Sequence, residues 1–224
     1  LNPIMEDRLY KAFGVNAELI IDHAWGWEPV TIEIIKQYRP ATNSISSGQV
    51  LHCPYDFDKG RLIVREMTEL LALDLVRKRL VTRQIVLDIG YDRESLAGER
   101  GGRYAGPVDT DHYGRKIPRH AHSTGNIDRY TSSTHAIMET VLALYDRVVN
   151  RDLLIRRVSI TASNLISEDE IPEGKPQQLD MFTDYEAVAR EEAARQAAED
   201  RERRLQRVTL AIQDRYGKNA MLKA

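Results

Sequence analysis

Residues 84–91 read Gln-Ile-Val-Leu-Asp-Ile-Gly-Tyr and decide the fold class. Ile85, Leu87 and Ile89 alternate with neighbours that include Asp88, and this period of two is typical of a β-strand with one face more deeply buried than the other. The buried face of such a strand needs another layer of structure to cover it. The flanking sequence is therefore expected to form further strands of the sheet and the helices that supply that layer.

Three more strands and two long helices are predicted around this segment. Asp56 or Asp58 can cap a helix that runs to about Leu80, and Ser132 or Ser133 can cap a second helix. The apolar positions along one side of the first helix are Ile63, Met67, Leu70, Leu71 and Leu75. The other predicted strands are 42–51, 119–131 and 154–163.

The resulting element order is β-α-β-β-α-β, with a long glycine-containing hairpin connection over residues 95–118. This order predicts an α+β fold in which a four-stranded antiparallel sheet carries both helices on one face, since the apolar helix stripes and strand faces have to cover each other. The opposite face of the sheet is expected to remain polar and uncovered.

The chain divides into five predicted segments. A helical segment with a break at 13–16 comes first, and a capping box at Thr183-Asp-Tyr-Glu186 opens a last helix that ends near Gly217. Because the first residue is Leu1 rather than methionine and the sequence begins inside a predicted element, we expect the chain to be part of a longer protein. The segments are helices at 1–38, a linker at 39–41, the sheet domain at 42–165, a tether at 166–182 and the C-terminal helix at 183–224.

Composition excludes several classes of protein. The 224 residues contain one cysteine, Cys53, which rules out an internal disulfide framework and cysteine-rich zinc sites. No apolar run reaches the length of a membrane helix and no leader opens the chain, so we expect a cytoplasmic location. The net charge of −2 hides a partition, because residues 41–165 carry +3 and 15 of their 18 cations are arginine. Arginine suits phosphate, although a solvated surface explains this excess equally well.

The predicted polar sheet face is the first candidate site. Short hydroxyls and guanidinium groups can follow a phosphate backbone regardless of base sequence, whereas a merely solvated face would have the same composition. The candidate DNA-binding residues are Asn43, Ser44, Ser46, Ser47, Gln49, Arg119, Ser123, Asn126, Arg129, Arg156, Arg157, Ser159 and Thr161.

No catalytic or metal-binding group is predicted. Asp109 and Asp111 lie in the glycine-containing connection, where acidic turn residues are common. His120 and His122 share one face of a strand, but zinc would need further ligands, so these histidines are expected at the surface or facing DNA. Cys53 has no base partner and is expected to lie in the core.

The second candidate site is the segment Gln178-Leu179-Asp180-Met181-Phe182 in the tether. Its apolar groups stand in an acidic, proline-containing stretch and have to find a pocket. They could dock on their own domain or anchor the chain to a partner that captures extended peptides. Physical reasoning leaves both possibilities open.

Four short segments stand in the sheet domain and in the helices before it: Leu9-Tyr-Lys-Ala-Phe-Gly14, Ala24-Trp-Gly26, Ser44-Ile-Ser-Ser-Gly-Gln-Val-Leu51 and Ile155-Arg-Arg157. With these segments, the sheet domain and what precedes it resemble the C-terminal part of Y-family (UmuC/ImpB/MucB/SamB-type) translesion DNA polymerases. Residues 178–182 are similar to the bacterial sliding-clamp-binding pentapeptide, with Met181 where leucine is more usual. The terminal Tyr216-Gly-Lys-Asn219 also matches.

This resemblance implies names and roles for the segments. Residues 1–38 would be the end of the thumb, 42–165 the little finger domain and 166–182 a tether with the clamp-binding peptide. The chain would hold primer–template DNA and dock on the bacterial β sliding clamp during error-prone synthesis in DNA repair and the SOS response. It would be inactive as a polymerase and bind no cofactor, since the Mg²⁺ of the parent enzyme would belong to the palm.

Two alternatives of other classes remain. A four-stranded sheet with two helices also resembles an RRM-like single-strand nucleic-acid binder, but that function needs aromatic side chains on the central strands and the chain is only 7% aromatic. A protein-interaction adaptor would use the C-terminal helix as its partner surface. Of that helix, only Leu205, Val208 and Ile212 recur as apolar residues at helical spacing.

Overall fold

The computed structural model describes residues 3–38, 43–97, 104–172, 185–217 and 220. The chain separates into two compact units, Leu1–Thr42 and Asn43–Ala224. No helix in the described part of the chain is long and apolar enough to cross a membrane.

The first unit is helical, with the predicted break between its first two helices. It contains α1 (Pro3–Phe13), a 3₁₀ turn (Gly14–Asn16), α2 (Ala17–Ala24) and α3 (Ile32–Gln37). Gly14 takes a φ of 58° at the break, a conformation that glycine adopts without steric cost. Thr31 caps α3, because its side chain accepts a hydrogen bond from the Ile34 backbone N–H.

The second unit has the predicted order of long elements. They are β1 (Ile45–Tyr55), α4 (Phe57–Lys78), β2 (Leu80–Tyr91), β5 (Ala121–Thr131), α5 (Thr134–Val148), β6 (Ile155–Ser163) and α6 (Tyr185–Tyr216). The predicted caps are in place, since Asp56 accepts from the Lys59 N–H and Ser133 accepts from the Ala136 N–H. The predicted capping box of α6 begins at Thr183, outside the described residues.

The long strands form an antiparallel sheet in the order β1-β6-β2-β5. Three short strands are additions to the predicted arrangement. β7 (Ile166–Ser167) pairs with the start of β2, while β3 (Val108–Thr110) and β4 (Lys116–Pro118) make a separate hairpin in the connection. Asp111 organises the turn of this hairpin by accepting hydrogen bonds from the backbone N–H groups of Tyr113 and Arg115.

Both α4 and α5 pack on one face of the sheet, called here the helix side. The core between them contains Ile85, Leu87 and Ile89 of β2 with Val158 and Ile160 of β6. A bidentate ion pair joins the two helices, in which Arg61 Nε and Nη2 each lie 3.0 Å from an oxygen of Asp146. This pairing raises the pKa of the Arg61 guanidinium and lowers the pKa of the Asp146 carboxyl.

Two predicted apolar stripes are wrong in detail. Leu70 is 62% exposed, and Val64 is buried on α4 with Met67, Leu71 and Leu75. On α6, Leu205 and Val208 are exposed, whereas Gln206 and Leu210 are the buried residues. The reason is the same in both cases: the side of a long helix that becomes buried depends on the neighbour against which it packs, and several apolar arcs are compatible with one sequence.

Tyr145 supplies a test of the helix–helix contact. Its side chain is fully buried and its hydroxyl donates a 2.7 Å hydrogen bond to the Phe57 carbonyl at the start of α4. Because Tyr145→Phe removes this bond and keeps the ring, we expect it to lower the free energy of unfolding by about 1 kcal/mol. Urea denaturation followed by circular dichroism measures this change.

Tyr113→Phe is the matched control, since the Tyr113 side chain is 78% exposed. It should leave the unfolding midpoint unchanged. An equal effect of the two substitutions would contradict the role given to the Tyr145 hydroxyl.

Candidate nucleic-acid interface

The face of the sheet opposite α4 and α5, called here the open side, is defined by the strand register. Ser46 pairs with Thr161 and Gly48 with Ser159 between β1 and β6, and the Thr161 hydroxyl lies 2.9 Å from the Ser46 hydroxyl. Successive residues of a strand point to opposite faces, so the neighbours of these residues point to the helix side. The open side is therefore lined by alternate residues of each strand.

Four cross-strand rows cover this surface. In strand order from β1 to β5 they are Val50, Arg157 and Gly90; Gly48, Ser159, Asp88 and His122; Ser46, Thr161, Val86 and Thr124; and Ser163, Gln84 and Asn126. Gln84 Nε2 donates to Asn126 Oδ1 at 2.9 Å, which holds the last row together. Short hydroxyls and amides dominate the surface, as the sequence predicts.

Five of the predicted DNA-binding residues come together on the open side. Ser46, Ser159, Thr161, Asn126 and Arg157 occupy register positions of that surface. Ser46, Asn126 and Arg157 are exposed, so their polar groups are accessible to a ligand. Asn43 and Ser44 are also exposed, but they precede β1 and have no place in its register.

Three predicted residues lie on the helix side instead. Ser47 and Gln49 pair with Ile160 and Val158, and Ser123 pairs with Leu87. Ser123 also accepts a 2.8 Å hydrogen bond from Arg147 Nη2 of α5. Their predicted placement on the polar face of the sheet is wrong, because consecutive strand residues such as Ser46 and Ser47 cannot face the same side.

The two arginines at the start of β6 differ in their surroundings. Arg157 pairs with Gly90 while Ile155 pairs with Tyr91, which leaves Arg156 as the extra residue of a β-bulge. Arg156 lies 3.6 Å from Asp92. Arg157 is exposed, and among the described residues no carboxylate forms an ion pair with it. A Cβ atom at Gly90 would lie 3.2 Å from Arg157 Cβ, so glycine at this position avoids a close contact with the arginine side chain.

The two remaining arginines are engaged by carboxylates. Arg119 lies just before β5 and donates to Asp109 of the β3–β4 hairpin at 3.2–3.3 Å, which raises the pKa of its guanidinium. Arg129, near the end of β5, forms an ion pair with Glu199 of α6. Neither residue contributes a free guanidinium to the open side in this arrangement.

Sequence reasoning placed Asp88 on the less buried face of its strand but did not name it among the candidate site residues. His122 Nδ1 lies 3.3 Å and His120 Nε2 3.6 Å from the same Asp88 oxygen. The alternation of buried and less buried residues along β2 indicates the place of Asp88 on the open side, since it follows Leu87 and precedes Ile89, both of which are buried. Within the described residues, no group of three histidine, cysteine or acidic side chains could hold a metal ion.

The second candidate site cannot be placed on this framework. Gln178, Leu179, Asp180, Met181 and Phe182 lie outside the described residues. Any role of this peptide therefore rests on its sequence.

Comparisons with known proteins bear on the family of this chain. Residues 42–181 match the model of the impB/mucB/samB family C-terminal domain. No curated protein matches the chain. Among solved structures, it is similar to one described as a complex of β-clamp processivity factor and little finger domain of PolIV, with 8% sequence identity and a TM-score of 0.36. That similarity covers 62% of this chain and 99% of the other.

The matched segment contains every long strand of the sheet together with α4 and α5. It spans more than half of the 224 residues, so the Y-family resemblance is confirmed. This chain belongs to the impB/mucB/samB family and contains its C-terminal domain.

Proposed function

We propose that the open side of the sheet binds the sugar–phosphate backbone of duplex DNA, and that the domain thereby holds primer–template DNA for a translesion polymerase. The observation that carries this proposal is the set of hydroxyl and amide groups on a sheet face that no described element covers, with Ser46, Asn126 and Arg157 exposed. Such groups donate hydrogen bonds to phosphate oxygens without reading bases. Binding should therefore tolerate any sequence and weaken as salt increases.

The composition of the open side argues against the RRM-like alternative. The central strands of the sheet are β2 and β6. No aromatic side chain occurs among their described open-side residues, which lie between Gln84 and Gly90 on β2 and between Arg157 and Ser163 on β6. Recognition of single strands by a sheet depends on aromatic rings that stack on bases. Duplex DNA is accordingly the expected ligand.

Arg157 tests the DNA-binding proposal. Because it supplies the exposed guanidinium of the open side, Arg157→Ala should weaken binding to duplexes of different sequence by the same factor. The slope of log affinity against log salt should fall in magnitude by about 1, as expected for one lost phosphate contact. Fluorescence anisotropy with short labelled duplexes at several salt concentrations measures both quantities.

Arg65→Ala is the matched control, because Arg65 is an exposed residue of α4 and this helix covers the other face of the sheet. Arg65→Ala removes the same charge as Arg157→Ala, and it should change both the affinity and the salt slope less than Arg157→Ala does. If Arg157→Ala and Arg65→Ala behave alike, the open side is not the DNA-binding surface. Tighter binding of single strands than of duplexes would favour the RRM-like function.

We also infer that residues 178–182 attach the chain to the bacterial β sliding clamp. Two features of the sequence support this: Gln178-Leu-Asp-Met-Phe182 is similar to the clamp-binding pentapeptide, and it follows the sheet domain in the sequence. An extended peptide binds through a few apolar anchors that fill pockets of the partner. Leu179 and Phe182 are the residues of this kind that the proposal depends on.

A combined Leu179→Ala and Phe182→Ala variant should lose retention on immobilised bacterial β clamp while its affinity for duplex DNA stays unchanged. Gln177→Ala, just ahead of the peptide, is the control and should be retained like the unaltered chain. Retention of the double variant would remove the peptide from this account. Loss of both activities would point to misfolding, which circular dichroism would detect.

A further inference from the structure

α6 is bound to the sheet domain mainly through polar and ionic contacts. Within residues 185–216, Gln206 and Leu210 are the buried positions. Charged groups supply most of the other contacts: Arg195 with Asp128, Glu199 with Arg129, Arg203 and Arg207 with Glu168, and Asp214 with Arg77. Ion pairs of this kind are weakened by salt and by competing ions. In two of them, Glu199 with Arg129 and Asp214 with Arg77, α6 supplies the carboxylate, which a polyanion can replace.

Arg129 is the centre of the acidic contact. Its side chain is 30% exposed and its Glu199 partner 17% exposed, so the pair is largely withdrawn from solvent. Arg129 Nε is buried and has no hydrogen-bond partner within the described residues. A guanidinium can donate five hydrogen bonds in a planar fork, and that geometry also suits a phosphate group. The contact with Glu199 therefore leaves donor capacity of Arg129 unused.

A second carboxylate of α6 lies one helical turn further along. Glu202 Oε2 is 2.5 Å from the Ser133 hydroxyl, and Glu202 Oε1 accepts a 3.0 Å hydrogen bond from the His135 backbone N–H at the start of α5. Donors of this type, a hydroxyl and a backbone N–H, also bind DNA phosphates. Glu199 and Glu202 thus place two negative charges against donors that could serve a nucleic-acid backbone.

These donors adjoin the open side of the sheet. Arg129 and Asn126 both line a groove of about 840 Å³ between β5, α5 and α6, together with Glu199 and Glu202. Asn126 is an exposed member of the open side. The groove therefore connects Asn126 on the open side with Arg129, which Glu199 of α6 engages.

We propose that Arg129 is a phosphate-binding residue of the DNA interface and that α6 is a strap that masks it through the Glu199 carboxylate. DNA and the Glu199 carboxylate compete for the Arg129 guanidinium, so release of α6 strengthens DNA binding. The inference rests on the proposed function, since it presupposes that the open side binds duplex DNA. To the DNA-binding role that the sequence predicts for Arg129, it adds a way of controlling access to that residue.

The test compares Glu199→Gln with Glu191→Gln by fluorescence anisotropy on one labelled duplex of about 20 base pairs. Both substitutions remove one negative charge from α6, and Glu191 lies eight residues, about 12 Å along the helix, from the contact. Glu199→Gln should tighten binding about threefold to fivefold, as expected when an ion pair no longer competes. Glu191→Gln should change affinity less than twofold.

Arg129 is then tested in both backgrounds. Arg129→Gln should have little effect with Glu199 present, and it should abolish the gain when combined with Glu199→Gln. A gain that persists without Arg129, or that Glu191→Gln reproduces, would show a general charge effect and overturn the inference. Thermal denaturation identifies variants in which loss of the ion pair destabilises the whole domain.

Hydrogen exchange gives a readout that does not depend on affinity. Addition of the duplex should increase amide exchange in residues 195–214 while α4 and α5 remain protected. If amide exchange in α6 stays unchanged when the chain is saturated with DNA, the proposal that α6 is released is wrong.

Arg157→Ala in the same assay separates the two proposals. If Arg157→Ala weakens binding and Glu199→Gln has no effect, the strap fails and the proposed function stands. If the unaltered chain and Glu199→Gln both fail to bind duplex DNA, both proposals fail.

Discussion

The antiparallel pairing of β2 with β6 at the centre of the sheet is the constraint on which the other features of the second unit depend. Its register sets Leu87 opposite Ile160 and Ile89 opposite Val158, so both strands turn their apolar residues toward α4 and α5. A slip of one residue would turn that apolar set to the other face. The same register that builds the core therefore places Ser159, Thr161 and Arg157 on the open side.

The distribution of charge on the sheet domain follows from what packs where. Arg61, Arg119 and Arg129 are each paired with a carboxylate from another element, whereas Arg157 stands beside Gly90 on the open side. The mild excess of arginine in the sequence is thus divided between structural ion pairs and an accessible guanidinium. Net charge alone did not distinguish these two uses, because pairing depends on residues that are distant in the chain.

The β6 part of the open side, together with Ser46 and Asn126, could be predicted from the sequence. Ser159, Thr161 and Arg157 alternate with buried apolar residues of β6, so their face is readable from the strand itself. Ser47, Gln49 and Ser123 were misplaced because β1 and the first half of β5 contain few large apolar residues to mark the parity. Asp88 was placed on the less buried face by the alternation of its strand, but it was not named as a site residue. The cross-strand partners of these residues determine which face of the sheet each of them occupies.

The sequence by itself determined the order of the long elements, the helix starts at Asp56 and Ser133, and the membership of the family, because these depend on local spacing, capping and short motifs. Tertiary structure alone decided that Leu70, Leu205 and Val208 remain exposed, that α6 packs on the sheet domain, and that Glu199 engages Arg129. These outcomes depend on how segments far apart in the chain pack together, as in the pairs of Glu199 with Arg129 and of Asp214 with Arg77. A local pattern limits which side chains are available for such contacts, but the packed chain determines which of them meet.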